Sequence, residues 1–270
     1  MHRVSATPKA AVALAWFAAG VLAFAAATTR GFASAPALAA NAAATSLGLM
    51  AWAFAGATLS SAPLARRLGW LPSRLPPPVL VGLVLGMLAI SQLAEWLIAQ
   101  AGYGEVGNLA QFRRTLSGVG GRDLAAALVG IALLPGIAEE LALRGLVQRG
   151  LERRLGATAA VGVSSLLFAA LHGEPVHASG AFLLGLYLGA IVALSGSIRP
   201  AILCHVVNNA VATLGVAFTL PYATALAVVA GAVAGPWALW RTWLQAQAAR
   251  PSLGETPEAC HGPSGPPDPP

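Results

Sequence analysis

Charged residues are scarce in this chain. Of its 270 residues, 10% are charged and 57% are hydrophobic, and the mean hydropathy is +0.70. A soluble domain carries about a quarter charged residues. The shortage of charge therefore argues against a soluble globular protein and indicates a chain that lies mostly within a lipid bilayer.

Cysteine is also nearly absent, and the basic residues form no cluster. Cys204 lies in an apolar run and Cys260 in the last twenty residues, so the sequence offers neither a disulfide framework nor a Cys-rich metal site. The chain has 16 Lys and Arg against 10 Asp and Glu. Because the arginines stand at the ends of apolar runs, membrane topology explains them better than binding to nucleic acid does.

Long apolar runs make up most of the sequence. A membrane-spanning helix needs about 20 mostly apolar residues, and eight runs come near that length. They are 9–29, 39–62, 78–100, 124–148, 157–172, 178–195, 199–218 and 221–241. We predict an all-α, polytopic membrane protein with about eight transmembrane helices, in which the first run is a retained span rather than a signal peptide.

The distribution of basic residues predicts the orientation in the membrane. With a cytoplasmic N-terminus, the inside connectors and termini hold eleven basic residues and the outside connectors hold four. Cytoplasmic loops of membrane proteins carry the excess of Lys and Arg. The bias therefore favours cytoplasmic placement of both termini.

The fourth run contains Glu139, Glu140 and Arg144 within six residues. Each ionisable group at a helix centre costs roughly 2.5–3.5 kcal/mol on insertion, so three of them require a reason. Glu140 and Arg144 are four residues apart and can pair on one helical face. Glu139 is rotated by about 100° and is free to face a cavity. Pro135 is expected to kink the helix just before this group.

Two later runs carry further polar residues at helical spacing. Phe168 and His172 are four residues apart, and so are His205 and Asn209; the intervening Asn208 is predicted to turn away. A carboxylate, two imidazoles and an amide buried together can hydrolyse a bond. The carboxylate takes a proton from water, and an imidazole with an amide can stabilise an oxyanion.

Three motifs follow one another in the sequence: Glu139-Glu140-x-x-x-Arg144, Phe168-x-x-x-His172 and His205-x-x-x-Asn209. In this order they resemble the motifs of the CPBP family of intramembrane proteases. This family includes the CAAX prenyl endopeptidase and many bacterial relatives, often labelled Abi or lysostaphin-resistance-like. The resemblance covers about 122–220. It implies an eight-helix membrane fold with a polar active site buried among the spans.

The resemblance also implies roles for individual residues. Glu139 and His172 would activate water, and His205 and Asn209 would form the oxyanion site. Helical spacing, rather than the resemblance, gives Glu140 and Arg144 a structural role as an ion pair, and Phe168 is expected to pack against the site. The implied substrate is a membrane-anchored or lipid-modified polypeptide, and the implied location is the bacterial cytoplasmic membrane.

The resemblance implies a glutamic mechanism without a metal cofactor. Zinc remains the alternative, because a Glu and two His residues can bind it, and the ligands would then be Glu139, His172 and His205. The sequence contains no HExxH motif, and pairing with Arg144 would remove Glu140 from the possible ligands.

The sequence contains further polar residues and is compatible with other functions. Glu95 next to Trp96 is expected at the membrane interface, and Cys204 in the core. Glu174 and His177 could line an entrance to the site, but an exposed connector is the preferred interpretation. A proton-coupled transporter and a non-catalytic immunity or scaffold protein remain alternative functions. We divide the chain into N-terminal helices (1–121), a catalytic core (122–220), a last transmembrane helix (221–243) and a Pro/Gly-rich tail predicted to be disordered (244–270).

Overall fold

The computed structural model describes residues 34–219 and 225–249. The first predicted span, 9–29, and residues 250–270 of the predicted tail lie outside these ranges. The prediction that the tail begins at 244 is wrong, because the last helix continues to Ala248. Every regular element within the described ranges is helical. These elements are α1 (Ala35–Thr58), α2 (Leu64–Arg67), α3 (Pro77–Gln100), α4 (Gly107–Leu116), α5 (Gly121–Ala127), π1 (Leu128–Leu133), α6 (Leu134–Glu139), π2 (Glu140–Gln148), α7 (Arg149–Leu171), α8 (Pro175–Ser195), α9 (Arg199–Ala217) and α10 (Ala225–Ala248).

The protein is an all-α, polytopic membrane protein, as the sequence predicts. In the described part of the chain, five helical stretches are long and apolar enough to cross a bilayer. They are Ala35–Thr58, Pro77–Gln100, Gly121–Leu171, Pro175–Ser195 and Arg199–Ala217. The last predicted run corresponds to α10, which packs along α3 but is not among these five.

The long helical stretch Gly121–Leu171 contains both the fourth and the fifth predicted spans. Its backbone leaves the helical conformation at Gly156, where φ is +77°, a value that favours glycine. The Ser164 hydroxyl lies 3.2 Å from Oε1 of Gln148. In one straight helix these residues, 16 apart, would be separated by about 24 Å. The chain therefore folds back at Gly156, and two antiparallel helices result.

The fourth span is not a regular α-helix. Two π-helical segments, π1 and π2, lie on either side of the short α6, and Pro135 stands in the first turn of α6. Proline lacks the N–H of a regular helical hydrogen bond, and π-helical turns are frequent at functional sites. The sequence predicts a kink at Pro135. The structure has instead a π-helical segment, π1, that ends shortly before Pro135.

One end of the bundle gathers the connectors that are rich in arginine. Arg67 donates to the carbonyl of Leu146 at 3.0 Å, and Arg149 donates to the carbonyl of Gly196 at 3.0 Å. Burial, followed by the charges of Arg153 and Arg149, lowers the pKa of the Arg67 guanidinium. These contacts bring 59–76, 149–156 and 196–198 together, as expected for loops on one side of a membrane.

The opposite end of the bundle gathers the remaining described connectors. The amide of Gly118 donates to the carbonyl of Ala217 at 3.0 Å. Gly107, with φ of +73°, lies so close to Glu174 that a Cβ would come within 2.9 Å of its carboxylate. The connectors 101–123 and 173–177 therefore meet here, in the alternation that the apolar runs predict. Which end faces the cytoplasm remains a prediction.

Close packing between α6 and α9 leads to our first prediction. A Cβ on Gly136 would lie 2.6 Å from Cγ2 of Val206 and 3.0 Å from its backbone nitrogen. Overpacking of this kind costs about 1–3 kcal/mol. Gly136→Ala should therefore lower the thermal unfolding temperature of the purified protein in detergent.

Gly215, on α9, is the matched control for Gly136. No atom lies within 4 Å of a Cβ built on it, and alanine is favoured over glycine in helices by up to about 1 kcal/mol. Gly215→Ala should leave the unfolding temperature unchanged or raise it. Equal unfolding temperatures for the Gly136→Ala and Gly215→Ala proteins would contradict the close approach of α6 and α9.

Candidate active site

A cavity of about 630 Å³ lies within the helix bundle. The four residues predicted to be catalytic all line it. They are Glu139 at the end of α6, His172 directly after α7, and His205 and Asn209 on α9. Three separate helices thus bring together residues that lie up to 70 positions apart in the sequence.

Glu139 faces an imidazole across a short gap. The residue as a whole is buried, with 8% of its surface exposed. Its Oε2 lies 3.8 Å from Nε2 of His205. This distance exceeds that of a hydrogen bond. A water molecule at about 2.8 Å from each atom spans such a gap, so the pair offers a place for water between a carboxylate and an imidazole.

Glu140 points into the protein core and joins two other side chains. Its Oε1 accepts a hydrogen bond from Nη1 of Arg144 at 2.9 Å and lies 2.9 Å from Nδ1 of His205. The Glu140–Arg144 ion pair predicted from the spacing is therefore present. The contact with His205 was not predicted. Because the carboxylate is the acceptor, Nδ1 of His205 carries the proton, and Nε2 is the atom that faces Glu139.

Phe168 lies at the centre of the polar residues. Its ring centroid is 4.9 Å from that of His172 and 5.6 Å from that of His205, in edge-to-face arrangements. The guanidinium of Arg144 lies 4.5 Å above the same ring, a cation–π contact. Phe168 is expected to pack rather than to react, and its ring does pack between the two imidazoles.

His172 is held by the end of its own helix. Its Nδ1 lies 2.8 Å from the carbonyl oxygen of Phe168, which can only accept, so Nδ1 is the donor and Nε2 is left with a lone pair. The ring of His177 packs edge-on against it at 4.5 Å. This arrangement gives His172 a nitrogen that can accept a proton.

Asn208 departs from its predicted position. It lines the cavity together with Asn209, and its Nδ2 lies 3.4 Å from Oδ1 of Asn209. Its own Oδ1 is buried without a hydrogen-bond partner among the described residues. The expectation that Asn208 turns away is therefore wrong. A rotation of about 100° along the helix does not carry a side chain out of a cavity that covers a wide arc of α9.

Several cavity residues were not predicted as part of the site. Glu95, Arg113, Glu174 and His177 all line it. Glu174 and His177 are half-buried, contrary to the expectation of an exposed connector, since the Glu174 carboxylate accepts from the first amides of α8 at 2.8 and 3.1 Å. Glu95 lies on α3 and Arg113 on α4, whereas Glu174 directly precedes α8 and His177 stands in its first turn. Helical spacing within one segment gives no signal for them, because these elements meet at the cavity only in the tertiary structure.

The side chains of the cavity bear on the zinc alternative. Within residues 34–219 and 225–249, no three His, Cys, Asp or Glu side chains lie in an arrangement that holds a metal ion. Nδ1 of His172 and Nδ1 of His205 bond Phe168 and Glu140 and leave Nε2 of each ring free, which is also how zinc-bound histidines are held. The described side chains thus form no preassembled three-ligand zinc site, and a mechanism without a metal stays a prediction.

The buried Glu140–Arg144 pair gives a second prediction. Both side chains are 0% exposed, and removing one member of such a pair costs about 3–5 kcal/mol because the other charge is left buried alone. Arg144→Met should therefore strongly lower the thermal unfolding temperature. Glu140→Gln/Arg144→Met should recover most of the loss, since it leaves no unpaired charge. A double variant no more stable than Arg144→Met would contradict this account.

The site lies in a segment of the chain that resembles a known protein family. Residues 121–211 match the family model described as Rce1-like, type II CAAX prenyl endopeptidase. The matched segment contains all three motifs, so the CPBP and CAAX protease resemblance is confirmed. No curated protein and no solved structure matches the chain.

Proposed function

We propose that this chain is an intramembrane endopeptidase acting through Glu139 and His172, because its segment 121–211 matches the Rce1-like type II CAAX prenyl endopeptidase family model. It hydrolyses a peptide bond in a membrane-anchored or lipid-modified polypeptide. The family match and the apolar helices support an intramembrane endopeptidase of the CAAX type in general. The residue roles are our proposal.

One observation carries the proposal. Glu139 and His205 face each other at 3.8 Å on the wall of a cavity that is also lined by His172 and Asn209. A base, a water position and two groups that can stabilise an oxyanion are the minimum required for hydrolysis of an amide. Packing between helices alone does not require these four side chains to share one cavity.

The reaction begins at the water molecule. Glu139 takes one proton from it while the oxygen attacks the carbonyl carbon of the substrate, and Nε2 of His172 orients the water as a hydrogen-bond acceptor. The carbonyl oxygen becomes an oxyanion. The amide of Asn209 donates to it, and so does His205 when Nε2 also carries a proton.

The intermediate then collapses. The C–N bond breaks, the oxyanion re-forms a carbonyl, and Glu139 returns its proton to the leaving nitrogen. One carboxylic acid and one amine are released, so the atoms of the substrate and the water balance. Glu140 holds His205 in place through Nδ1, and Arg144 balances the buried charge of Glu140.

The third prediction concerns Glu139 itself. Membrane proteomes of the native host are compared for wild-type protein and for Glu139→Ala at matched abundance. Removal of a general base lowers rates by about 10²–10⁴-fold, so one or a few proteins should gain uncut termini. Glu105→Ala is the control, because Glu105 is exposed and is not among the residues that line the cavity.

Two further outcomes bear on the alternatives. If no terminus changes in Glu139→Ala while deletion of the whole gene still has a phenotype, the scaffold function replaces the protease. If a chelator stops processing and zinc restores it, the zinc mechanism replaces the glutamic one.

The position of the cavity bears on where the substrate is cut. Glu95, Arg113, Glu174 and His177 place the cavity near the end formed by connectors 101–123 and 173–177, opposite the arginine-rich end. The excess of basic residues favours a cytoplasmic location for the arginine-rich end. We therefore propose that cleavage occurs near the outer face of the membrane.

Cysteine labelling tests this orientation. Cys204→Ala/Cys260→Ser removes the native thiols, and Ser117→Cys or Ser61→Cys adds an exposed one at either end of the bundle. A membrane-impermeant maleimide should label Ser117→Cys in intact cells, and Ser61→Cys only after permeabilisation. The reverse pattern would place the cavity toward the cytoplasm.

A further inference from the structure

Arg113 is a cation on the cavity wall with unused hydrogen-bonding capacity. It lies on α4, and its Nη1 donates to the carbonyl of Gly104 at 3.1 Å. Its Nη2 is buried and has no hydrogen-bond partner among the described residues. A guanidinium has five N–H donors, and leaving such donors unpaired away from water is unfavourable.

The carboxylates around the cavity do not pair with Arg113. Glu95 lies close enough for the two charges to interact, but in the described ranges no ion pair joins them. Glu139 faces His205, and both oxygens of Glu174 accept backbone amides of α8. Among the described residues no ion pair therefore neutralises Arg113, which lines the cavity that a ligand would enter.

The chemistry of this group identifies the ligand class. A guanidinium binds planar anions such as carboxylates through two parallel hydrogen bonds. A polypeptide supplies carboxylates from Asp and Glu side chains and from its C-terminus. We propose that Arg113 binds a carboxylate of the polypeptide substrate, an inference that rests on the proposed protease function.

Binding at this position affects which peptide bond is cut. Arg113 and Glu139 line the same cavity but lie on different helices, α4 and α6. A substrate carboxylate held at Arg113 fixes the register of the chain across the cavity. Arg113 thus sets the distance between the anchored anion and the bond that reaches Glu139.

The neighbouring Arg114 provides a matched control. It has the same side chain and lies on the same helix, yet it is exposed and is not among the residues that line the cavity. An effect of general positive charge on α4 would appear equally in Arg113→Gln and Arg114→Gln. An anion site at Arg113 predicts an effect in Arg113→Gln only.

The test measures peptide binding to the full-length chain in lipid nanodiscs, with Glu139→Ala present so that the probes stay intact. Three N-acetylated apolar tetrapeptides are used: one with a free C-terminal carboxylate, one amidated, and one amidated with a single internal Glu. The Kd of at least one acidic probe should be about tenfold or more below that of the neutral amide, since a charge-assisted hydrogen bond is strong enough for such a ratio.

The variants then assign the preference to Arg113. Arg113→Gln should abolish it, Arg113→Lys should retain part of it, and Arg114→Gln should leave it unchanged. Glu95→Gln should tighten binding of the acidic probe, because it removes a competing carboxylate. The acidic probe that binds more tightly distinguishes a C-terminal from a side-chain carboxylate.

Two results would overturn the inference: no preference for an acidic probe over the amide, whether or not the probes bind measurably, or a preference that survives in Arg113→Gln. This assay is independent of catalysis. An anion site at Arg113 with no Glu139-dependent change in the proteome would leave the site standing and remove the protease function. A Glu139-dependent change in the proteome without an anion site at Arg113 would support the protease function and remove the site.

Discussion

The buried contact between Glu140, Arg144 and His205 is the interaction on which the candidate site depends. One oxygen of Glu140 holds both partners at 2.9 Å. Charges inside a membrane protein are expensive unless they are paired, and here the pairing also links π2 to α9. The contact therefore fixes the imidazole of His205 opposite Glu139. It also stabilises the buried charges of Glu140 and Arg144 by pairing them.

The irregular fourth span supports this arrangement. The adjacent glutamates lie at the junction of α6 and π2, where one side chain turns to the cavity and the other to the core. Phe168 then packs against both imidazoles and beneath Arg144. One wall of the cavity is thus supported by an ion pair and an aromatic ring, and such support can hold a water molecule in position.

Around that site the cavity combines two kinds of charge. Glu139 and the histidines stand where bond cleavage is proposed, and Arg113 and Glu95 come from α4 and α3. The first group lies on the segment matched to the family, 121–211, and the second lies outside it. Under the proposed function, bond cleavage belongs to the matched segment, and α3 and α4 contribute to binding of the substrate.

The sequence alone determined the all-α membrane architecture, the Glu140–Arg144 pair and the burial of Cys204, because these follow from apolar runs and helical spacing within one segment. It did not determine the Glu140–His205 contact, the inward face of Asn208, or the presence of Arg113 and His177 in the cavity. Those depend on how separate helices meet. Only the tertiary structure decides them, since the fold-back at Gly156 and the packing of α4 over the cavity bring together residues that no local spacing relates.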